Sequence, residues 1–113
     1  MKYIVYCTTN LINKKIYIGC HGTSNPDKFD GYLGCNVYST RPSSYIKPIT
    51  AFQAAVKKYG PKNFFRSILY IYNTKKEALL KEKELVTIEF VLLDTNYNMV
   101  EGGGEYNSDL PVN

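Results

Sequence analysis

Two β-rich runs with a short asparagine-flanked gap between them constrain this chain more than any other feature. "YIVYCTT" (3–9) and "KIYIG" (15–19) are dense in β-branched and aromatic residues, and "NLINK" separates them. Asn10 and Asn13 are turn formers, so the segment is expected to be a β-hairpin. If facing residues sum to 23, Tyr6 stands opposite Tyr17 and both point to one face. A slip of one residue would put them on opposite faces. Gly19 follows, and its missing side chain leaves the backbone open to close approach by a ligand. His21, the only histidine in the chain, comes two places later.

The remaining elements alternate. Residues 22–45 are polar and broken by Pro26, Gly31, Gly34 and Pro42. A loop of that length in a small domain is either functional or hides a short helix. "PITAFQAAVKKYGP" (48–61) reads as a helix, with Pro48 in its first turn, Gly60 at its end and Pro61 forbidding continuation. Ile49, Phe52, Val56 and Tyr59 make its apolar stripe. "NFFRSILYIY" (63–72) is apolar at nearly every position and is expected to be a central strand. "TKKE" (74–77) is a capping box opening a second helix that runs to about Phe90. The order β-β-(loop)-α-β-α predicts an α+β fold, a small three-stranded antiparallel sheet flanked by helices. One domain over residues 1–113 accounts for the length.

Composition narrows the class. The apolar share of 44% is enough for a core, and no apolar run approaches the length of a membrane span. Cys7, Cys20 and Cys35 are odd in number and irregular in spacing, which argues against a disulfide framework. Cys20, His21 and Cys35 lack a C-x-x-C pair and a fourth ligand, so zinc is not expected. With no secretory leader in sight, the expected home is cytoplasmic rather than secreted. The net charge of +4 is compatible with a polyanionic partner.

Glu84 is the first candidate for chemistry. On a helical wheel at about 100° per residue it falls among Leu80, Ile88 and Val91, so it interrupts an apolar stripe, whereas Glu82 lies beside Glu89 on the polar side. A carboxylate there must be paired, hydrogen-bonded or metal-bound. A salt bridge to Arg66 is the structural alternative. Tyr6 and Tyr17 are poor bases at an ordinary phenol pKa of ~10, unless a nearby cation lowers it.

With these residues in view, the chain resembles the GIY-YIG nuclease superfamily. Ile4-Val5-Tyr6 stands for the first motif, and Tyr17-Ile18-Gly19 matches the second. "AVKKYGPKNF" (55–64), the glutamate helix as Glu84-x-x-x-Ile88, and "NYN" (96–98) follow in order. The resemblance spans roughly residues 3–104, and "GYLG" (31–34) with "RPSSY" (41–45) looks like a branch found in phages and large DNA viruses. It implies a metal-dependent DNA endonuclease. Tyr6 would lie near the nucleophilic water, and Tyr17 would act as base or positioning group. Glu84 would bind one Mg²⁺ or Mn²⁺ ion, and Asn98 would support the site by hydrogen bonding. The family's arginine after the second motif is absent, since residues 20–40 contain none. His21, Arg41 and Arg66 are the candidates for its place, and His21 could move a proton near neutral pH. The alternative function is a catalytically weak module of the same fold that binds branched or nicked DNA.

Lys57 and Lys58 lead the candidate DNA contacts, although lysines in a last helical turn also complement the helix dipole. Phosphate contacts carry no sequence information. Weak intrinsic sequence preference is therefore expected, or dependence on a homodimer or a separate DNA-binding partner. No membrane partner is expected.

Overall fold

The computed structural model describes residues 1–103. β1 (Lys2–Asn10) and β2 (Ile16–Thr23) form the expected antiparallel hairpin. Its register differs from the expected one: Tyr6 faces Gly19 and Thr8 faces Tyr17, so facing numbers sum to 25. The loop explains the shift. Asn10 N–H donates to the Lys15 carbonyl at 2.9 Å, and Lys14 takes a left-handed φ of 69°. The Asn10 and Asn13 side chains accept from the backbone of Ile12 and Lys15, each at 2.9 Å. A two-residue shift preserves parity, so both tyrosines still project from one face.

The long polar segment holds a second hairpin rather than a helix as its main feature. β3 (Tyr32–Gly34) and β4 (Val37–Tyr38) pair antiparallel, and a 3₁₀ turn follows at Pro42–Ser44. Cys35 and Asn36, with φ of 48° and 63°, form the hairpin turn in the left-handed geometry that matches strand twist. Helix α1 (Ala51–Tyr59) begins later than Pro48 suggested, because Thr50 supplies the cap by accepting from Gln53 N–H.

β5 (Phe64–Tyr72) pairs with β1, giving the order β2-β1-β5. The central strand is therefore β1, and β5 is an edge. Ile4, Val5 and Tyr6 are fully buried, whereas Phe65, Leu69, Tyr70 and Ile71 are exposed. Apolar composition does not reveal a strand's place in a sheet. Helix α2 (Lys75–Leu85) is capped by Thr74 as expected, but it stops at Val86. A separate short helix, α3 (Ile88–Val91), restarts on its own cap, Thr87.

A core lies on each face of the sheet. Leu33, Val37, Phe52, Val56, Phe64 and Tyr97 pack on the face that carries Tyr6 and Tyr17. Val5, Ile18, Ala78 and Val86 pack on the other. Residues 96–98 run beside the free edge of β2, where Asn96 bridges Ile16 in parallel. Tyr97 Oη accepts from Asn10 and Asn13 side chains, tying this segment to the hairpin loop. Among the described residues no helix is long and apolar enough to cross a membrane.

Candidate active site

The observed register puts Tyr6 across from Gly19, between Tyr17 and His21 on one sheet face. The Tyr6 and Tyr17 ring centroids are 6.3 Å apart. A Cβ at Gly19 would lie 2.5 Å from the Tyr6 hydroxyl oxygen. A Cβ at Gly34, whose φ is 133°, would lie 2.8 Å from the Tyr17 ring and 3.0 Å from the same hydroxyl. Two glycines from two hairpins thus bracket the tyrosine pair. The space at Gly19 is filled by Tyr6 and is not left for a ligand.

Burial pushes the Tyr6 and Tyr17 hydroxyls well above the usual phenol range. Neighbouring Tyr32, Cys35 and Glu82 push them further the same way. Both are neutral hydroxyls around pH 7, suited to hydrogen bonding rather than to accepting a proton.

Tyr17 opens onto a cavity of about 460 Å³, whose wall includes Cys35, Thr50, Glu82, Tyr97 and Asn98. Asn98 is buried and clamps the edge of β2: its Oδ1 accepts from Ile18 N–H at 3.0 Å and its Nδ2 donates to the Ile18 carbonyl at 2.9 Å. Glu82 reaches the cavity from α2, and its Oε1 accepts from Gly103 N–H at 3.2 Å. Glu101 stands exposed at the mouth.

Glu84 is not in this cavity. Its side chain is 67% exposed and pairs with Lys81 at 3.1 Å on the outer face of α2. The wheel that placed it on a buried stripe assumed one helix through residue 91, and the break at Val86 removes that stripe. Leu80 and Ile88 are about half exposed, while Ala78 and Leu79 are the buried residues of α2. Glu82 lies one turn beyond Ala78 and Leu79, so it shares their face.

Oxygen donors on a roomy wall with one inner carboxylate suit a hard, hydrated cation such as Mg²⁺ or Mn²⁺. Among the described residues no three His, Cys, Asp or Glu side chains converge, which does not suit a zinc cage.

The cationic candidates fall in two places. The His21 ring stacks on Tyr32 at 4.0 Å and 12°, and the Tyr32 ring meets Tyr6 edge-on at 6.1 Å. His21 Nε2 lies 2.7 Å from Asp30 Oδ2. Arg66 does not pair with Glu84: its side chain is 2% exposed and donates to Asp30 at 3.1 Å and to the Tyr32 carbonyl at 3.0 Å. Arg41 is exposed, with its guanidinium 4.3 Å over the Tyr38 ring, and Tyr38 in turn packs on Tyr32 at 5.0 Å. Lys57 and Lys58 are exposed in the last turn of α1, at the end away from Thr50 and the cavity.

The same wheel puts Glu82 on the polar side, whereas it lines the cavity, and sequence reasoning missed Asp30 and Tyr32 as site residues. Glu82 was legible from its spacing to Ala78 and Leu79. Asp30 stands just before β3 and Tyr32 opens it, and the Asp30 contacts to His21 and Arg66 reach 9 and 36 residues along the chain, which no local pattern marks.

The family model described as "Putative endonuclease segE, GIY-YIG domain" matches residues 2–107. The chain is 44% identical over 103 residues to "Putative endonuclease segE" of Enterobacteria phage T4, covering 91% of this chain and 43% of that protein. It is 43% identical over 98 residues to "Endonuclease segA" of the same phage, covering 87% of this chain and 38% of that protein. The chain thus spans about two fifths of the length of these relatives. No solved structure matches it.

Proposed function

This chain belongs to the SegE-type GIY-YIG domain family, and from that premise we propose that it hydrolyses phosphodiester bonds in DNA as a divalent-metal-dependent endonuclease. The observation that carries this reading is the meeting of Tyr17, the Asn98-clamped edge of β2 and the Glu82 carboxylate on one open cavity beside Tyr6.

Glu82, in the role expected of Glu84, would hold Mg²⁺ or Mn²⁺ with water completing the shell. When bound, the ion supplies Lewis acidity and stabilises charge on the departing 3′-oxygen. Tyr17 lines the cavity and donates a hydrogen bond to water or to a phosphate oxygen. Tyr6, 1% exposed, stands behind it and holds Tyr17 and Tyr32 in place. His21 lines a separate cavity with Tyr3, Cys20, Lys75 and Leu79, and the proton of the attacking water passes to solvent. Arg41, at the exposed end of the Tyr6–Tyr32–Tyr38 row, meets a phosphate oxygen. Lys57 and Lys58 contact phosphates without reading bases. Site selection then depends on a second copy of the chain or a separate DNA-binding partner.

Nicking of supercoiled plasmid, with Mg²⁺ and with the metal chelated, tests the reading. Nicking in Mg²⁺ that chelation stops supports it. Tight DNA binding with no cleavage in Mg²⁺ or Mn²⁺ overturns it in favour of a binding module for branched or nicked DNA.

A further inference from the structure

Three glycines follow Glu101 in the sequence, and the first two line the cavity that holds Tyr17 and Glu82. They end a continuous stretch of its wall, residues 98–103. That stretch is tied at both ends. Asn98 holds it to β2 at Ile18, next to Tyr17. At the other end Gly102 N–H donates to the Val86 carbonyl at 2.7 Å, just past the end of α2. Gly103 N–H donates to Glu82 Oε1 at 3.2 Å. The stretch thus joins the strand that carries Tyr17 to the helix that carries Glu82.

The second tie demands glycine. Gly102 and Gly103 are both buried. A Cβ at Gly102 would lie 2.7 Å from the Glu82 carbonyl carbon and 3.0 Å from Glu82 Cγ. That carbonyl belongs to the helix backbone and already accepts from Val86 N–H at 2.8 Å, so it cannot swing aside. Gly103 takes a left-handed φ of 79°, and a Cβ there would lie 2.9 Å from Lys83 Cβ. Close seating on the last turn of α2 is what brings the Gly103 N–H to the carboxylate. A glutamate side chain has several rotamers, and a charge-assisted bond from a fixed backbone donor selects among them. Outer hydrogen bonds of this kind orient a carboxylate that ligates a metal.

We propose that Gly102 and Gly103 are positioning residues, which seat the chain on α2 so that a backbone N–H orients the Glu82 carboxylate for a divalent cation in the cavity. The inference rests on the nuclease reading above, in which Glu82 holds the ion.

Two measurements test it, one without metal and one with Mn²⁺ alone. In ¹H–¹⁵N spectra recorded in chelator, the Gly103 amide proton should move upfield in Glu82→Gln, because a neutral side chain is the weaker acceptor. It should stay in place in Glu84→Gln, and it should move in Gly102→Ala. Mn²⁺ affinity, read from the paramagnetic resonance signal of the free ion, should fall roughly 10- to 100-fold in Gly102→Ala while a thermal melt shows a folded chain. Nicking at subsaturating Mn²⁺ should fall with it. A Gly103 amide that Glu82→Gln leaves unmoved overturns the proposal, and this readout stands even if Gly102→Ala folds poorly. A folded Gly102→Ala with unchanged Mn²⁺ affinity also overturns it, since the glycines would then only close the chain on the helix end. An unaltered chain that binds no Mn²⁺ removes the positioning role together with the metal. An unaltered chain that meets both predictions but does not cut DNA overturns the nuclease reading and leaves the seating of Glu82 standing.

Discussion

Tyr6 and Gly19 share one space: a Cβ at Gly19 would lie 2.5 Å from the Tyr6 hydroxyl oxygen and 2.8 Å from its ring carbon Cζ. Tyr6 is 1% exposed and has nowhere to retreat. Gly19→Ala is expected to displace the tyrosine pair and to slow nicking on the order of 100-fold. Its stability cost should be about 1–3 kcal/mol, as for other overpacked cores. Nicking kinetics and a thermal melt check both. A variant with full activity would show that the position of the Tyr6 hydroxyl is immaterial.

Alkaline pH should unfold the chain. Tyr6, Tyr17 and Tyr32 all have hydroxyls raised above their unfolded value, first through burial. A group raised in the folded state contributes stability that is fully present below its unfolded pKa, ~10 for tyrosine, and is lost as pH climbs toward the folded one. Stability should therefore be flat with respect to these groups below about pH 9 and should fall steeply above about pH 10. Denaturant titrations from pH 8 to 11, with tyrosinate absorbance in parallel, measure this. Ionisation of all eleven tyrosines near pH 10 in a chain that remains folded would refute it.

Asn98 joins residues 96–98 to β2 through both polar groups of one backbone position, Ile18. Asn98→Ala leaves a buried N–H and a buried carbonyl without partners, at about 1–3 kcal/mol each. The melting temperature should drop on the order of 10 °C or more. Calorimetry reads it directly, and a drop under a few degrees would mean that water replaces the amide without cost.

Lys57 and Lys58 are exposed and project from the end of α1, with Lys58 Nζ 5.2 Å over the Tyr59 ring. If both touch phosphate, changing both to alanine should weaken duplex binding on the order of tenfold and reduce the slope of log K against log salt by about 1.8. An unchanged slope would assign them to the helix dipole alone.

The hairpin that carries Tyr6 and Tyr17 was legible because alternation and asparagine turns are local signals. Its register was not, because closure depends on Lys14 adopting a left-handed conformation and on two asparagine side chains that fold back on the loop. The face shared by the tyrosines survived because a shift of two residues keeps parity. The apolar strand at residues 64–72 was legible as a strand but not as an edge, since strand order is a long-range property. The glutamate failed for a different reason. A wheel drawn through residue 91 treats α2 and α3 as one helix, and the backbone at Val86, φ −101° and ψ 76°, breaks that continuity. The small Ala78, fully buried against Val5, Ile18 and Val86, was the better marker of the inner face, but alanine carries little hydrophobic signal.

In the proposed site Glu82, which lines the cavity, works as the carboxylate, and Glu84 on the outer face of α2 does not. Single-turnover nicking of supercoiled plasmid in Mg²⁺ by Glu82→Gln and Glu84→Gln, at matched purity and with thermal melts alongside, tests it most directly. Glu82→Gln is expected to lose at least roughly 1,000-fold in rate. Glu84→Gln, which gives up only a solvent-screened pair with Lys81, should stay within about twofold of the unaltered chain. A fast Glu82→Gln beside a dead Glu84→Gln would contradict it.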